Sequence, residues 1–299
     1  MPQKLSTYLK NIYGKKIYRL SLSSGCTCPN RDGSIVVEGR PLREGCSFCS
    51  EGGSGEFASE FADIDRQIED AKKVIASKTD AESFIAYFQS FTGTYGDIDR
   101  LRELYTGVIK RRDIEILSIG TRPDCLGDEV MSLLKELNGV KPVWIELGLQ
   151  TISDKTARRI DRGYELPVFN EAYRRLKEAG IAVIVHVIFG LPGETREDML
   201  DTVRFLAGLH PELDGIKIQN LQILRNTRMY TEFLENPEEF CIFDMEEYTD
   251  LVAEAVSLLP KDTVIHRMTG DGPRWLLVEP KWSLDKKRVL NMLGRKLPQ

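Results

Sequence analysis

The run PVFNEAYRRLKEAGIAVIVHVIF at residues 167–189 joins two periodic patterns. Its first part places four apolar side chains on one stripe of a helix, and a glycine follows as a C-terminal stop: Val168, Ala172, Leu176, Ala179 and then Gly180. Its second part, residues 182–189, is almost wholly apolar and rich in β-branched residues, which is typical of a strand buried on both faces. The run therefore predicts one helix-strand unit of a parallel sheet.

The same alternation recurs along the chain. Strands are predicted at residues 16–22, 83–88, 114–119, 143–147, 182–189 and 215–221. Helices are predicted at residues 63–78, 98–112, 127–137, 167–178, 196–209 and 246–259. Six such units predict an α/β fold, a partial (β/α)6 barrel with N- and C-terminal extensions. We expect a single domain over residues 1–299, with a core at about 16–260 and a C-terminal cap at about 261–299.

The composition is that of a globular protein. Of the 299 residues, 41% are hydrophobic and 29% are charged, which excludes a disordered, collagenous or coiled-coil chain. The longest apolar stretch, residues 181–191, is too short to cross a bilayer, and the N-terminus lacks the apolar core of a secretion signal. We therefore expect a cytoplasmic protein with no membrane partner. The net charge of -5 argues against general coating of nucleic acid but allows local basic patches.

Polar and glycine-containing segments follow five of the predicted strands. They span residues 25–49, 89–95, 121–124, 148–151 and 190–194. In parallel α/β folds the chemistry lies beyond the carboxyl ends of the strands, where these segments would meet. Their positions therefore predict an enzyme.

Four of the six cysteines lie between residues 26 and 49. Cys46 and Cys49 form a Cys-x-x-Cys pair, whose spacing lets two thiolates face one metal centre, and Cys28 lies on the same segment. Three thiolates leave a tetrahedral zinc site incomplete but suit a 4Fe–4S cluster that keeps one iron open for a ligand. A zinc ribbon that also uses Cys26 is the alternative, although the spacing of Cys26 and Cys28 is tighter than in a usual zinc knuckle.

Six short motifs occur in order along the chain. They are Cys28-Pro29-Asn30-Arg31-Asp32-Gly33, Gly45-Cys46-Ser47-Phe48-Cys49-Ser50, Ala86-Tyr87-Phe88-Gln89, Thr121-Arg122-Pro123-Asp124-Cys125-Leu126, Glu146-Leu147-Gly148-Leu149-Gln150-Thr151 and His266-Arg267-Met268-Thr269-Gly270-Asp271-Gly272-Pro273. Together they closely resemble the YhcC/YtqA-like family of radical S-adenosylmethionine (SAM) proteins, with its MnmL-type branch. This family is related to the radical-SAM core of the Elongator catalytic subunit. The likeness runs over residues 13–291.

The resemblance implies a 4Fe–4S cluster on Cys28, Cys46 and Cys49, with SAM bound to the fourth iron through its amino and carboxylate groups. One electron from the cluster would cleave SAM and release a 5′-deoxyadenosyl radical that abstracts hydrogen from the substrate. Two features depart from the family pattern: residues 29–45 separate the first two ligands more widely than usual, and Cys26 is extra. Cys26 is therefore an alternative first ligand, although the Pro-Asn-Arg-Asp-Gly after Cys28 favours Cys28.

The resemblance also implies contacts to SAM. Phe48 would shield the cluster and touch adenine, Gln89 would hold the methionyl amino group, and Arg162 would lie near the SAM carboxylate. Gly190 begins a turn that resembles the adenine-side turn of the family, where glycine permits close backbone approach. The further candidates for the SAM site are Gln150 and His186. Loop packing for Phe48, a surface position for Arg162 and a satisfied barrel position for His186 are the structural alternatives.

Three charged residues are candidates for catalysis, namely Glu146, Arg122 and Asp124. Glu146 points from a predicted strand into the barrel mouth, where a carboxylate is costly without a cationic partner. SAM, a substrate amine, or an ion pair with Arg122 or Lys217 would supply that partner. Arg122 and Asp124 place a forked donor beside a carboxylate at the end of a strand.

The MnmL-type branch converts the 5-carboxymethylaminomethyl group of the tRNA wobble uridine to 5-aminomethyl for later methylation, and residues 50–58 look like that branch. The resemblance thus implies a tRNA substrate, a flavodoxin- or ferredoxin-type electron donor and a methyltransferase as a further partner. A tRNA substrate predicts a basic face, for which the candidates are Arg100, Arg102, Lys110, Arg111, Arg112, Lys286, Lys287, Arg288, Arg295 and Lys296. Solvated helix faces are the alternative for these cations.

Two alternative functions remain. One is a radical SAM enzyme that acts on a small metabolite or a protein, and the other is a non-catalytic zinc-binding module.

Overall fold

Strands and helices alternate through most of the chain in a computed structural model, which describes residues 2–53, 63–77, 79–270 and 272–297. The strands are β1 (Gln3–Lys4), β2 (Tyr18–Leu22), β3 (Val36–Val37), β4 (Arg40–Pro41), β5 (Phe84–Phe88), β6 (Ile114–Thr121), β7 (Val143–Gln150), β8 (Ala182–Phe189), β9 (Gly215–Asn220), β10 (Ile223–Leu224), β11 (Val264–Arg267) and β12 (Leu277–Glu279).

The helices are α1 (Leu5–Tyr13), α2 (Pro29–Asp32), α3 (Ile64–Ala76), α4 (Ile98–Ile109), α5 (Asp128–Asn138), α6 (Asp154–Arg159), α7 (Leu166–Glu178), α8 (Arg196–Ala207), α9 (Arg228–Glu235), α10 (Met245–Ser257) and α11 (Lys286–Lys296). Three short 3-10 helices span Pro123–Cys125, Pro237–Glu239 and Lys281–Leu284. The six predicted helices correspond to α3, α4, α5, α7, α8 and α10. Lys78, the last residue of the predicted helix 63–78, lies outside the described residues.

Eight strands form one sheet in the order β1-β11-β9-β8-β7-β6-β5-β2, and every neighbouring pair is parallel. From β2 to β9 the strands follow chain order, as successive crossovers on one side of a parallel sheet produce. These six strands are the predicted ones, and β6 and β7 run two or three residues further than predicted. The sheet curls into a half-barrel, which confirms the predicted partial α/β barrel. The pairs β3–β4 and β10–β12 form separate antiparallel ribbons.

Strands β1 and β11 extend the sheet beyond β9 and are not among the predicted strands. Gln3 pairs with Val264, and Lys4 pairs with Ile265. A strand of two residues carries no periodic pattern, so its presence depends on a partner that is remote in sequence. The sheet is therefore extended by two segments that are more than 250 residues apart in the chain.

The alternation of side chains along β8 separates the core from the barrel interior. Val183, Val185 and Val187 pack with the helices in the main hydrophobic core. Ile184 points the other way and packs with Trp144 of β7 in a cluster inside the barrel. The same cluster includes Leu9, Ile85, Tyr87 and Ile116, so α1 closes the barrel at the amino end of the strands. None of the helices in the described part of the chain is both long and apolar enough to span a membrane.

Candidate active site

A cavity of about 770 Å³ lies at the carboxyl ends of the strands, a volume within the usual range of small-molecule sites. The predicted site residues that line it are Cys28, Cys46, Phe48, Cys49, Gln89, Arg122, Glu146, Gln150, Arg162 and His186. Asp124, Gly190 and Cys26 are described but are not among its lining residues. The fold thus brings together most of the predicted residues from the cysteine segment and from β5, β6, β7 and β8.

The Cys-x-x-Cys loop is anchored by backbone hydrogen bonds. The Ser47 amide donates to the Ile160 carbonyl, with an N–O distance of 2.9 Å, and the Ser47 carbonyl accepts from the Met229 amide at 2.9 Å. Gly45, which precedes the loop, has a φ of +84°, and a Cβ there would lie 3.0 Å from Arg31 Nε. Glycine is therefore required at the start of the loop, and the loop is tied to segments that follow β7 and β9.

The thiol of Cys46 lies in a partly buried, electropositive setting. Burial raises the pKa of Cys46 to about 12, the guanidinium of Arg122 acts to lower it, and the Cys28 and Cys49 thiols act to raise it. The Asn30 side-chain amide donates to Cys46 Sγ at 3.4 Å. Among the described residues, no three His, Cys, Asp or Glu side chains are grouped so as to hold a metal ion. The positive charge of Arg122 and the donor on Asn30 both favour the thiolate form of Cys46.

Cys26 is separated from the other cysteines of its segment. It is buried in the main hydrophobic core, where its Sγ lies 3.9 Å from the Gly93 carbonyl oxygen. Cys28, in contrast, lines the cavity with Cys46 and Cys49. This arrangement favours Cys28 over Cys26 as the first of the three thiols, and a four-cysteine zinc site would need Cys26 beside the others.

Arg122 and Asp124 form a bidentate ion pair. The Nη2–Oδ2 distance is 2.6 Å and the Nε–Oδ1 distance is 2.9 Å. The Arg122 guanidinium also lies over the Tyr164 ring, 4.9 Å from its centroid. Because Asp124 does not line the cavity, its effect on the site passes through Arg122.

Arg162 is 1% exposed and is held by several acceptors. Nη1 donates to the carbonyls of Leu149 and Thr151, both at 2.7 Å, and Nε donates to the Tyr164 carbonyl at 3.0 Å. Nη2 donates to Asp154 Oδ1 at 3.3 Å. Four acceptors thus engage a guanidinium that has five N–H groups, which leaves one donor for a ligand.

Two residues that line the cavity have left-handed backbone conformations. The φ angle is 63° at Gln150 and 54° at Phe91. Such conformations cost a non-glycine residue about 1–3 kcal/mol and are concentrated at functional sites. At Gln150, the conformation coincides with a register shift between β7 and β8, and the Tyr164 hydroxyl lies 3.2 Å from Gln150 Oε1. The strain therefore points to a ligand-binding role for this end of β7.

Glu146 stands on the inner face of β7 in a cluster of cations. Its carboxylate forms an ion pair with Lys217 of β9 and accepts from the Ser118 hydroxyl at 3.2 Å. Arg19 Nη2 lies 3.7 Å from the same carboxylate. Burial acts to raise the pKa of Glu146, but the charges of Lys217 and Arg19 outweigh burial and hold the pKa below its usual range. Of the partners considered from the sequence, Lys217 is the one that the fold brings into contact.

His186 on β8 presents an unused nitrogen. Its Nε2 is buried and has no hydrogen-bond partner among the described residues. Burial and the positive charges of Lys217 and Arg267 lower the pKa of His186 to about 4, so the imidazole is neutral near pH 7. A neutral ring with an unused nitrogen is able to contact a ligand in the cavity.

Gly190 lies behind the cavity wall. Its φ is +93°, and a Cβ there would lie 3.2 Å from the Cys241 carbonyl oxygen. Glycine is thus needed for a close backbone approach, as predicted, but the approaching group is the segment after Phe240. In the same turn, the buried Glu194 carboxylate accepts a hydrogen bond from the Thr151 hydroxyl.

The pKa of Glu194 makes stability depend on pH. Burial raises this pKa to about 7, against 4.5 in the unfolded chain, although hydrogen bonds from Thr151 and Thr156 act to lower it. The contribution of protonated Glu194 to stability is therefore complete below pH 4.5 and is lost as the pH rises through 7. As the pH rises from 4.5 to 8, the unfolding free energy of Glu194→Gln should therefore rise by about 3 kcal/mol relative to that of wild type.

Urea denaturation at the two pH values measures this difference. Glu235→Gln, which changes an exposed glutamate at the end of α9, is the matched control and should follow wild type. Parallel pH profiles for wild type and Glu194→Gln would contradict the prediction.

The cavity also contains residues to which the sequence analysis assigns no role, among them Tyr87, Arg267, Arg274 and Trp275. Tyr87 and Arg267 lie within the recognised motifs, which is the sequence signal that marks them, because their strands show no alternation of polar and apolar residues. Trp275 lies in a loop, where no periodic pattern applies. Residues 54–58 of the segment 50–58, and Asp271 of the last motif, lie outside the described residues.

Comparisons with known proteins give the family. Residues 43–206 match the model of the Radical SAM superfamily, and residues 213–299 match the model of the Radical_SAM C-terminal domain. The chain is 37% identical to YtqA of Bacillus subtilis over 294 residues, which cover 98% of this chain and 88% of YtqA. It is 32% identical to YhcC of Escherichia coli over 271 residues, which cover 90% of this chain and 84% of YhcC. A tRNA uridine(34) acetyltransferase of Methanocaldococcus jannaschii is 27% identical over 166 residues, 54% of this chain and 29% of that protein.

Two solved structures share the fold. Elp3 of the archaeon Methanocaldococcus infernus aligns with a TM-score of 0.63 and 20% identity, covering 77% of this chain and 57% of Elp3. Methylornithine synthase PylB aligns with a TM-score of 0.54 and 13% identity, covering 97% of this chain and 86% of PylB. These findings confirm the family and the cofactors predicted from the sequence. The chain belongs to the radical SAM superfamily, alongside YtqA and YhcC, and members of this superfamily use a 4Fe–4S cluster and S-adenosylmethionine.

Proposed function

We propose that this chain is a radical SAM enzyme in which Cys28, Cys46 and Cys49 hold the 4Fe–4S cluster. The observation that carries the proposal is that these three thiols line one cavity, in a chain of this superfamily, while Cys26 is buried elsewhere. When bound, the cluster supplies the electron that cleaves SAM and yields a 5′-deoxyadenosyl radical. The residues fit these cofactors, because three cysteines of one segment line a space large enough for a nucleoside. They are not grouped closely enough to hold a single metal ion, but a four-iron cluster binds each thiolate on a different iron and does not require that grouping.

The polar wall of the cavity is proposed to orient SAM. Gln89 and Gln150 offer neutral amides at the ends of β5 and β7, and an amide can contact either an ammonium or a carboxylate. Phe48, inside the Cys-x-x-Cys loop, would exclude water and contact adenine. Arg162 keeps one N–H for the SAM carboxylate, and Gly190 supports the wall from behind. The positions of Phe48, Gln89, Gln150 and Arg162 in the cavity lining support these assignments.

The charged residues are proposed to act in different ways. Arg122 faces the cavity and the Cys46 thiol, so its charge stabilises negative groups there. Asp124 is a positioning residue, because it holds Arg122 without lining the cavity. Glu146 would keep Lys217 charged and in place at the floor of the cavity. Of these three, Arg122 and Glu146 are able to touch substrate directly.

We infer that the substrate is tRNA and that the 5-carboxymethylaminomethyl group of the wobble uridine is converted to 5-aminomethyl. Support comes from the family branch that the sequence resembles and from the partial match to a tRNA uridine(34) acetyltransferase. The charge of the cavity agrees with a polyanion: Glu146 is the one carboxylate among its described lining residues, whereas the cations are Arg31, Arg122, Arg162, Lys217, Arg267, Arg274 and Lys286.

The two predicted basic faces differ in whether acidic side chains pair with their cations. On and after α4, Arg102 and Arg111 are engaged by acidic side chains. On α11, three side chains form no ion pair with any described residue: Lys287, Arg288 and Arg295. Helix α11 begins at Lys286, which lines the cavity. We therefore propose α11 as the RNA-binding face and regard the α4 set as mainly a solvated face.

Trp275 is expected to stack on an unpaired base. It is 67% exposed, lines the mouth of the cavity and follows the exposed Arg274. An exposed aromatic side chain beside a cation is a common platform for single-stranded bases, and loss of one stacking contact costs about 1–3 kcal/mol. Trp275→Ala should therefore weaken binding of an anticodon stem-loop at least about 5-fold, as measured by fluorescence anisotropy.

SAM cleavage without RNA should be unchanged in this variant. Val140→Ala, which removes an exposed apolar side chain away from the cavity, is the matched control. Wild-type RNA affinity in Trp275→Ala would contradict the stacking role.

The proposed reaction is tested with anaerobically reconstituted protein, SAM, dithionite and tRNA that carries the 5-carboxymethylaminomethyl group. We expect 5′-deoxyadenosine to form while the 5-aminomethyl nucleoside replaces its precursor. Formation of 5′-deoxyadenosine with the nucleoside intact would favour a small metabolite or a protein as substrate. Protein that binds zinc but no iron would favour the non-catalytic module. Dithionite replaces the proposed flavodoxin- or ferredoxin-type donor, and the proposed methyltransferase would use the product.

A further inference from the structure

Three nitrogen-bearing side chains stand side by side on the inner face of the sheet. Where β8 pairs with β9, His186 lies opposite Lys217, and where β9 pairs with β11, Lys217 lies opposite Arg267. All three line the cavity, and neighbouring strands are about 5 Å apart. These three residues therefore form one continuous set, which we term the basic row.

The basic row carries more positive charge than its surroundings offset. Glu146, on the adjacent β7, is already engaged by the Lys217 ammonium and also lies 3.7 Å from Arg19. The Arg267 side chain forms no hydrogen bond or ion pair with any residue that the structure describes. A partly buried guanidinium without a counter-charge is costly, and an anionic ligand would remove that cost.

His186 provides a second unused group in the same row. Its buried Nε2 has no hydrogen-bond partner in the described part of the chain, although most buried polar atoms have one. The guanidinium fork of Arg267 and the ring nitrogen of His186 lie on either side of Lys217, and this set of nitrogen groups suits a small anion with two oxygen atoms. The row therefore has the chemistry of a carboxylate site.

We propose that the basic row binds the carboxylate of the substrate and that Arg267 is the residue that recognises it. This inference rests on the proposed function, because that substrate carries a carboxymethyl group. A guanidinium donates two parallel N–H bonds to a planar carboxylate, and His186 lies in the same row, one strand beyond Lys217. A phosphate dianion fits less well, since the Glu146 carboxylate beside the row would repel a second negative charge.

The position of the row favours the substrate over SAM as the source of the carboxylate. His186 and Lys217 stand within β8 and β9, whereas the cysteine segment begins beyond the carboxyl end of β2. The carboxylate of SAM is expected at the cluster, and hence near the cysteine segment. A second carboxylate, carried by the substrate, would then occupy the row.

The test uses reconstituted holoenzyme without reductant, so that binding is measured without turnover. Two anticodon stem-loops are compared, one with a 5-carboxymethylaminomethyl and one with a 5-aminomethyl wobble uridine. Wild type should prefer the carboxylated RNA by about 10- to 100-fold. Arg267→Gln should lose most of this preference and keep its affinity for the 5-aminomethyl RNA, and SAM affinity should not change.

Two further variants keep the test decisive. Arg267→Lys retains the positive charge but not the forked guanidinium, and it should show an intermediate preference for the carboxylated RNA. This variant tests the role of Arg267 if Arg267→Gln does not fold. Arg225→Gln removes an exposed guanidinium outside the cavity lining and should behave as wild type.

Three outcomes separate this inference from the proposed function. Loss of the preference in the Arg267 variants alone supports the substrate-carboxylate site. Full preference in those variants, or weaker SAM binding with the preference kept, would overturn the site and leave the proposed function standing. A wild type that shows no preference and leaves the carboxymethylaminomethyl nucleoside intact would overturn both.

Discussion

Cys46→Ala is expected to abolish SAM cleavage and iron binding. Removing a residue that only supports a metal ligand already costs about 10- to 100-fold in affinity or activity, so loss of a proposed ligand should lower 5′-deoxyadenosine formation by more than about 100-fold. Cys28→Ala and Cys49→Ala should behave alike, because all three thiols line one cavity. The measurements are iron per chain and 5′-deoxyadenosine after anaerobic reconstitution.

Cys26→Ala is the matched control for these variants. Its thiol is buried in the hydrophobic core near Gly93, so its loss should cost only about 1 kcal/mol of stability and leave iron content near wild type. If Cys26→Ala lost its iron while Cys28→Ala kept it, the first ligand would be Cys26 and our assignment would be wrong.

Glu146→Gln should lower the free energy of unfolding by about 3–5 kcal/mol, the usual cost of breaking a buried ion pair. The substitution keeps the shape of the side chain but removes the negative charge that Lys217 and Arg19 face. The cations would then repel one another in a site largely shielded from water. Urea denaturation followed by circular dichroism measures the effect.

A double variant separates charge from packing in this cluster. Glu146→Gln combined with Lys217→Met removes both charges of the pair and should be less destabilised than the sum of the single changes. Glu136→Gln, which breaks the exposed pair with Arg102, should cost less than about 1 kcal/mol. Additive losses in the double variant would show that the charges do not interact as described.

The six central strands were predictable because each is a local run of apolar residues that needs no knowledge of its neighbours. In β8, the residues that face the helices and those that face the interior are both apolar, apart from His186, so the run stands out in the sequence. Strand β1 could not be predicted, because it consists of Gln3 and Lys4 and exists through pairing with Val264 and Ile265. The same holds for the closure of the barrel floor by α1.

The site was predictable to the extent that it follows the carboxyl ends of parallel strands. Asp124 and Gly190 each lie two residues after a lining residue, Arg122 and Ile188, but neither lines the cavity. Asp124 is in a 3-10 helix and Gly190 is in a turn, so the alternation of a strand no longer sets the direction of their side chains. The partner of Glu146 does not follow from the sequence alone, because Lys217 stands two strands away and strand order and register decide that contact. The exposed Trp275 had no pattern that could mark it. The assignment of one domain, with its core and cap, stays a prediction.

The pairing of β1 with β11 has a consequence for synthesis on the ribosome. The first strand meets its partner only after residue 264 has emerged, so at about 5–20 residues per second the N-terminal segment waits on the order of tens of seconds. During the first part of that time Leu5, Tyr8 and Leu9 also lack the interior cluster against which they finally pack, because its last buried member is Ile184. Chaperones that bind nascent chains would therefore meet this segment early and release it last.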